Sequence, residues 1–381
     1  MNPHSPLDLS IYVHWPWCLK KCPYCDFNSH TTNRHLEESY IESILADIEH
    51  QKKLVGDRNI TSIFFGGGTP SLMKADYIER ILHKIDGLFS IQSDTEITIE
   101  ANPTSTTASK IKDFKRAGIN RMSIGVQSFH DSYLKFLGRE HNAKQAFATI
   151  EEALNHIDNV SFDLIYGLPE QKLTNWQADL EHAIKFGTKH LSAYQLTIEK
   201  NTKFYTDVKR QKWQPMCDDV QADFYDCTRE IVTAHNFNHY EISNFSKAGY
   251  DCVHNHKIWQ YQDYIGVGAG AHGRHQTIDN QTYLTQNYRM PSTYVEHVKP
   301  VKHSFYRHET LTSHETWQEM LIMGLRIQKG VPIHLLERNN TTKQALLRFM
   351  QLGMLYNNRG NIALTDHGKL HLDSILTDLI F

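Results

Sequence analysis

Cys18, Cys22 and Cys25 lie within one short run, in the spacing C-x3-C-x2-C. Thiolates are soft ligands that suit zinc or an iron–sulfur cluster. A structural zinc takes four nitrogen or sulfur ligands, so this loop would need His14 or His30 to complete one. An iron–sulfur cube held by three thiolates keeps one iron open to an outside ligand, whereas an electron-transfer cluster takes four cysteines. Free thiols are the third reading. Lys20 and Lys21 flank the sulfurs and would offset part of a cluster's negative charge. Cys217, Cys227 and Cys252 stand apart from this group.

The elements around the loop must position it. From Ser10 to Thr197 short β-type runs alternate with amphipathic helical stretches. The runs are Ile11–His14, Ile60–Phe65, Glu96–Ala101, Arg121–Val126, Val160–Ile165 and Leu191–Leu196; helices are predicted over Leu36–Gln51, Tyr77–Leu88, Ala143–His156 and Trp176–Phe186. Such alternation predicts an α/β fold with a parallel sheet, as an open sheet or an incomplete barrel. Counting by twos pairs Tyr12 with His14, Thr98 with Glu100, Ser123 with Gln127, Ser161 with Asp163, and Gln195 with Thr197. Polar faces at the C-terminal strand ends predict a wet cavity where such folds hold their sites.

Residues 198–310 read as irregular, with a helix over Asp218–Ala234, a β-type run at Tyr240–Ile242 and a glycine-rich turn at Gly266–Gly273. They are taken as an elaboration packed on a core of residues 1–197. In residues 311–381, helices are predicted over Thr316–Ile327, Ile333–Glu337 and Thr342–Leu352. A hairpin of Met354–Tyr356 and Ile362–Thr365 and a last helix at Lys369–Leu379 complete a small winged-helix-like α+β domain. Lys+Arg is 40 against Asp+Glu 43, so a general nucleic-acid binder is disfavoured. No apolar run is long enough for a membrane span, and Met1–Leu9 has no secretory pattern, so a cytoplasmic chain is expected. Gly66-Gly67-Gly68-Thr69-Pro70 lacks the Lys-Ser/Thr of a phosphate loop.

The three-cysteine spacing after a first strand resembles the radical S-adenosylmethionine (radical SAM) superfamily. Further motifs match in order: Gly66–Pro70 after the second strand, Glu100-Ala-Asn102-Pro103 after the third, Gly125-Val-Gln127-Ser128 and Gly138-Arg139-Glu-His141 after the fourth, and Asp163 to Pro169 after the fifth. Together they resemble the coproporphyrinogen dehydrogenase-like branch. The resemblance implies a partial (β/α)6 barrel, a [4Fe–4S] cluster on Cys18, Cys22 and Cys25, and SAM contacts from Tyr12, Gly67, Gly68, Thr69, Glu100, Gln127, Arg139 and Asp163.

Within the branch, the dehydrogenase type has a further cysteine two residues after the last ligand, and an N-terminal extension. Here Phe27 occupies that position and the motif starts almost at once. The chain is more similar to the haem chaperone (HemW) type. Cys252-Val-His254-Asn255-His256-Lys257-Ile258-Trp259 resembles that type's His-Asn-x-x-Tyr-Trp motif, with Ile258 in place of Tyr. The resemblance implies haem as a further cofactor, His254 as the leading iron ligand with Cys252 and His256 as alternatives, and a haem-accepting protein as partner. It implies an electron donor if SAM is cleaved, and it allows a homodimer. Trp259 and Tyr261, with Lys257 or Arg274, are expected to complete the haem site. Three alternatives remain: oxidative decarboxylation of coproporphyrinogen III propionates through a 5′-deoxyadenosyl radical, radical chemistry on an unrelated substrate, and a zinc-stabilised adaptor.

Overall fold

The computed structural model describes residues 8–32, 34–277, 281–301 and 303–380; the expectation for Met1–Leu9 falls mostly outside them. Six strands come first: β1 (Asp8–Trp15), β2 (Asn59–Gly67), β3 (Ile91–Ala101), β4 (Arg121–Gln127), β5 (Asn159–Tyr166) and β6 (His190–Gln195). Each pairs in parallel with the next. Parallel neighbours need long crossovers, which the helices Glu37–Val55, Ala75–Phe89, Ala108–Arg116, Ala143–Leu154 and Leu173–Lys185 supply. The first buries Tyr40, Ile41, Ile44 and Ile48, the spacing of one helical face. These side chains meet Ile11, Val13, Ile63 and Phe65 of the sheet in one large core. Burying each such side chain stabilises the fold by about 1.5–3 kcal/mol. Tyr12 of β1 and Tyr194 of β6 line the same cavity, so the six strands curl into a partial barrel.

Residues 198–310 are far more regular than their sequence suggests. They add β7 (Asn238–His239) and β8 (Asn244–Ser246) beyond β6. On the other side β9 (Tyr264–Val267) runs parallel to β1, followed by antiparallel β10 (His272–Gln276), β11 (Thr282–Asn287) and β12 (Phe305–Thr310). The result is one twelve-stranded sheet. Most of these strands are short, and several are polar on both faces, as in Thr282–Asn287, so alternation does not reveal them. The helix Asp218–Ala234 forms as expected. Tyr240–Ile242 is instead the connection between β7 and β8, with Glu241 bridging to Ile327. Gly266 is inside β9, and the turn proper sits at Gly268 and Gly270, both with positive φ.

The last part has its own core of Trp317, Leu321, Leu346, Phe349, Ile362 and Ile375. It comprises the helices Ser313–Gly324, Asn340–Gln351, Asp366–Lys369 and Leu372–Ile380 and an antiparallel sheet of β13 (Val331–Pro332), β14 (Leu355–Asn358) and β15 (Asn361–Leu364). The first helix stops at Gly324 rather than Ile327, and the expected last helix is broken at Leu370–His371. Among the described residues no helix is long and apolar enough to cross a membrane.

Gly268, beside the site, leaves its backbone little freedom. Its φ is +101°, and a Cβ there would lie 2.6 Å from the His14 carbonyl oxygen and 2.7 Å from the Tyr40 hydroxyl. Gly187→Ala, at φ +73° in open space, serves as the control. Gly268→Ala should cost about 2 kcal/mol or more in urea denaturation, and Gly187→Ala about 1 kcal/mol. Equal losses would show that the contact under Gly268 yields.

Candidate functional site

The cysteine loop leaves β1 and returns to it. Cys18 N–H donates to His30 O at 2.9 Å and His30 N–H to Pro16 O at 2.7 Å, closing its neck. Trp15, Trp17 and Tyr40 pack edge-on beneath, with ring centroids 4.6–6.2 Å apart. Asn28 anchors the far end, donating to Ala269 O and Arg289 O at 2.9 Å each. Gly68 N–H and Thr69 N–H donate to Trp15 O and Trp17 O, so the glycine-rich segment lies directly against the loop's base.

All three thiols are free and line one cavity of about 680 Å³. Thr69 Oγ1 donates to Cys18 Sγ at 3.3 Å, and Arg139 Nη1 to Cys22 Sγ at 3.6 Å. Burial pushes the Cys18 and Cys25 thiols up, and the neighbouring sulfurs push the same way. A metal that takes the Cys18 and Cys25 sulfurs as ligands would favour their thiolate forms against this rise. Among the described residues no three His, Cys, Asp or Glu side chains converge on a single ion. The thiols are spread along the wall instead. Three free sulfurs, two of them accepting hydrogen bonds, form a donor set that fits a cluster with separate iron corners.

The same cavity gathers Gly67, Gly68, Thr69, Glu100, Gln127, Arg139 and Asp163. Burial raises the Glu100 carboxyl to about 8, Asp163 adding to the rise and the Gly67 N–H, donating at 3.0 Å, opposing it. Asp163 is held above the usual carboxylate range by burial, against donation from Ser192 and Ser123. Two buried carboxylates facing each other call for a positive group between them, and the cationic end of SAM fits that need. Arg139 Nη2 donates to Gly125 O at 2.7 Å, and its Nε is buried without a partner. Gln127 reaches the wall through a register shift in β4, with φ +73°. The glycines have a nearer cause than ligand approach: a Cβ on Gly67 would strike the His14 ring at 2.6 Å, and one on Gly68 the Trp17 carbonyl oxygen at 2.7 Å.

A second cavity of about 600 Å³ adjoins the first, sharing Phe27, Gly67, Glu100, Ser123, Asp163 and Tyr194 as lining. His254 lies here, with Asn255, Ile258, Trp259, Phe64, His272 and Arg289. Tyr12 is here too and not beside the cysteines. Its hydroxyl meets His14 Nδ1 at 3.1 Å, while His14 Nε2 donates to Asn28 O at 2.8 Å. His190 is likewise bonded at both nitrogens, to Ser161 and Tyr240. His254 meets Ser62 Oγ through Nδ1 at 2.9 Å, and among the described residues no protein group pairs with its Nε2. Phe64 stacks on the ring at 4.9 Å, and burial drives the imidazole down to about 3, so it is neutral.

Sequence reasoning missed what holds His254. Its helix, Val253–Trp259, begins on Glu96, which accepts from Val253 N–H at 3.0 Å and His254 N–H at 3.1 Å. Glu96 in turn faces buried Arg121 at 3.7 Å. Both sit on strands, where an ordinary polar alternation hides them. Two expected haem partners are already engaged. Lys257 pairs with Asp8 at 2.8 Å, and buried Arg274 pairs with Glu319 at 3.3 Å and stacks 3.8 Å over Tyr261. Arg289, His272 and Arg121 are among the charged or titratable groups that line the cavity.

A curled parallel sheet with a three-thiol loop at its first strand end defines a radical SAM protein, and the model of the radical SAM superfamily matches residues 12–183. That of the HemN C-terminal domain matches residues 311–371. The chain is 34% identical over 374 residues to the heme chaperone HemW of Buchnera aphidicola (subsp. Schizaphis graminum), covering 97% of each. It is 40% identical over 291 residues to HemW of Escherichia coli, covering 76% of each. It is 35% identical to the mitochondrial radical S-adenosyl methionine domain-containing protein 1 of Danio rerio, covering 86% of this chain and 75% of that one. The solved coproporphyrinogen III oxidase (HemN) of E. coli shares the fold, with a TM-score of 0.82 at 20% identity over 98% of this chain and 90% of that one. The chain belongs to the HemW family, in the coproporphyrinogen dehydrogenase-like branch of the superfamily.

Glu100 gives a pH test. Its folded value, about 8, lies above its ordinary 4.5, so its contribution to stability is full below 4.5 and is lost as pH rises through 8. Glu100→Gln, neutral throughout, should therefore gain on the parent as pH rises from 5 to 8, read as urea midpoints of the metal-free protein. A constant difference between the two would place Glu100 in an ordinary solvated setting.

Proposed function

We propose that this chain is a cytoplasmic haem chaperone that holds a [4Fe–4S] cluster, SAM and haem, and passes haem to an acceptor protein. The observation that carries the reading is the free Nε2 of His254, in a cavity that shares a wall with the three-thiol cavity. The names of its relatives support it. Cys18, Cys22 and Cys25 hold the cluster, and Thr69 and Arg139 steady two of the sulfurs. Glu100 and Asp163 take the cationic end of SAM; Gly67, Gly68, Thr69, Gln127 and Arg139 line its bed, and Tyr12 orients His14 at its border. When bound, the cluster supplies one-electron reduction of the SAM sulfonium, for which an external donor is required. Haem needs an apolar slot, an axial ligand and cationic partners. Phe64, Ile258 and Trp259 give the slot, His254 the ligand, and Arg289 the charge for a propionate. Ile258 keeps that wall apolar where the family motif has a tyrosine.

In this reading residues 1–197 carry cluster and SAM, 198–310 carry the haem motif, and 311–381 close the chamber. The six unpaired cysteines accord with a reducing compartment. Anaerobic iron and sulfide analysis with haem titration on one sample is the test. Cys22→Ser should lose the brown chromophore and stay folded by circular dichroism. His254→Ala should keep the cluster and bind haem at least tenfold more weakly, on the order expected for a lost axial ligand. Conversion of coproporphyrinogen III by the reconstituted protein would favour the dehydrogenase instead.

A further inference from the structure

Four histidines line the second cavity, and their hydrogen bonds sort them. His14 and His190 are bonded at both nitrogens, and His272 is exposed. Among the described residues, His254 is fixed at one nitrogen only. Its partner, Ser62, is wholly buried on β2, and Ser62 Oγ donates to Ser10 Oγ at 2.8 Å. Ser10 is the register partner of Ser62 on β1. A hydroxyl has one proton. With that proton committed to Ser10, Ser62 Oγ can only accept from His254, so Nδ1 carries the hydrogen and Nε2 keeps its lone pair. The Phe64 ring and the Glu96-anchored backbone hold the imidazole in place while this is set.

We infer that Ser62 and Ser10 are positioning residues that fix His254 as the Nδ1–H tautomer, so that Nε2 faces the cavity as a metal ligand. The inference rests on the haem reading for its purpose, though not for the tautomer itself. A partner on the far ring nitrogen is the usual device by which proteins orient a ligating histidine and raise its basicity. Here a serine pair does this with no carboxylate, leaving the ligand neutral and only modestly strengthened. The chemistry it suits is iron in a porphyrin.

The test uses the full chain labelled with 15N-histidine, with two-bond proton–nitrogen correlation at neutral pH in the absence of haem. The parent should show His254 with Nδ1 protonated and Nε2 bare. Ser62→Ala should shift the ring toward the Nε2–H form, and Ser62→Thr should restore the parent pattern. Ser10→Ala frees the Ser62 proton to turn onto Nδ1, and should also produce the Nε2–H form. On titration with hemin, Ser62→Ala and Ser10→Ala should each weaken binding on the order of tenfold and alter the ferric haem ligand-field bands, with the threonine variant near the parent. An Nε2–H tautomer in the parent overturns the inference, as does a Ser62→Ala protein with unchanged tautomer and haem spectrum. If the tautomer shifts as expected while His254→Ala binds hemin like the parent, the positioning role stands and the haem ligand is another group.

Discussion

Glu100 and Asp163 are two carboxylates enclosed together with no cation of equal standing beside them. The sheet offers Glu100 one backbone N–H and offers Asp163 hydroxyls, while Arg121 and Arg139 act only through space. Such a pair persists in a fold when one member stays protonated, and burial keeps Glu100 in that state near neutral pH. Both residues border both cavities. The two cavities therefore share this pair in their common wall, as one chamber with two lobes.

Some of this was open to sequence reasoning. The cysteine spacing locates the loop, and counting by twos brings Tyr12, Glu100, Ser123 and Asp163 to one surface. The six parallel strands follow from hydrophobic runs separated by amphipathic helices. What escapes is whatever depends on exceptions to periodicity or on partners distant in the chain. The register shift before Gln127, itself an expected cavity residue, has no sign in the sequence. Tyr12 faces the right way, yet its hydroxyl goes to His14. The glycines of the second loop are required by His14 and Trp17, a packing constraint visible only when the two loops lie together. The polar strands after residue 237 have no apolar rhythm to reveal them.

The histidine lobe illustrates how much a short element can owe to distant residues. A helix of seven residues is too brief to persist alone. It stands because Glu96 meets its first N–H groups, and Glu96 is tolerable in the interior because Arg121 lies across from it. Removing either acid or base would leave the other buried and unpaired, a loss of about 3 kcal/mol or more. The placement of His254 is thus decided on β3 and β4, far from it in the chain.

The C-terminal domain touches the rest of the molecule through polar contacts as well as apolar ones. Lys369 reaches His239, Asp366 reaches Arg229, Glu319 meets both Tyr261 and Arg274, and Arg326 lies over the Trp259 ring. Residues 369–374 and Arg326 also line the thiol lobe. The seam is thus laced with ion pairs and a cation–π contact; dissolved ions weaken the part-exposed Arg229–Asp366 pair more than the more buried Arg274–Glu319 pair. Added salt should therefore loosen the exposed part of this seam before the buried part.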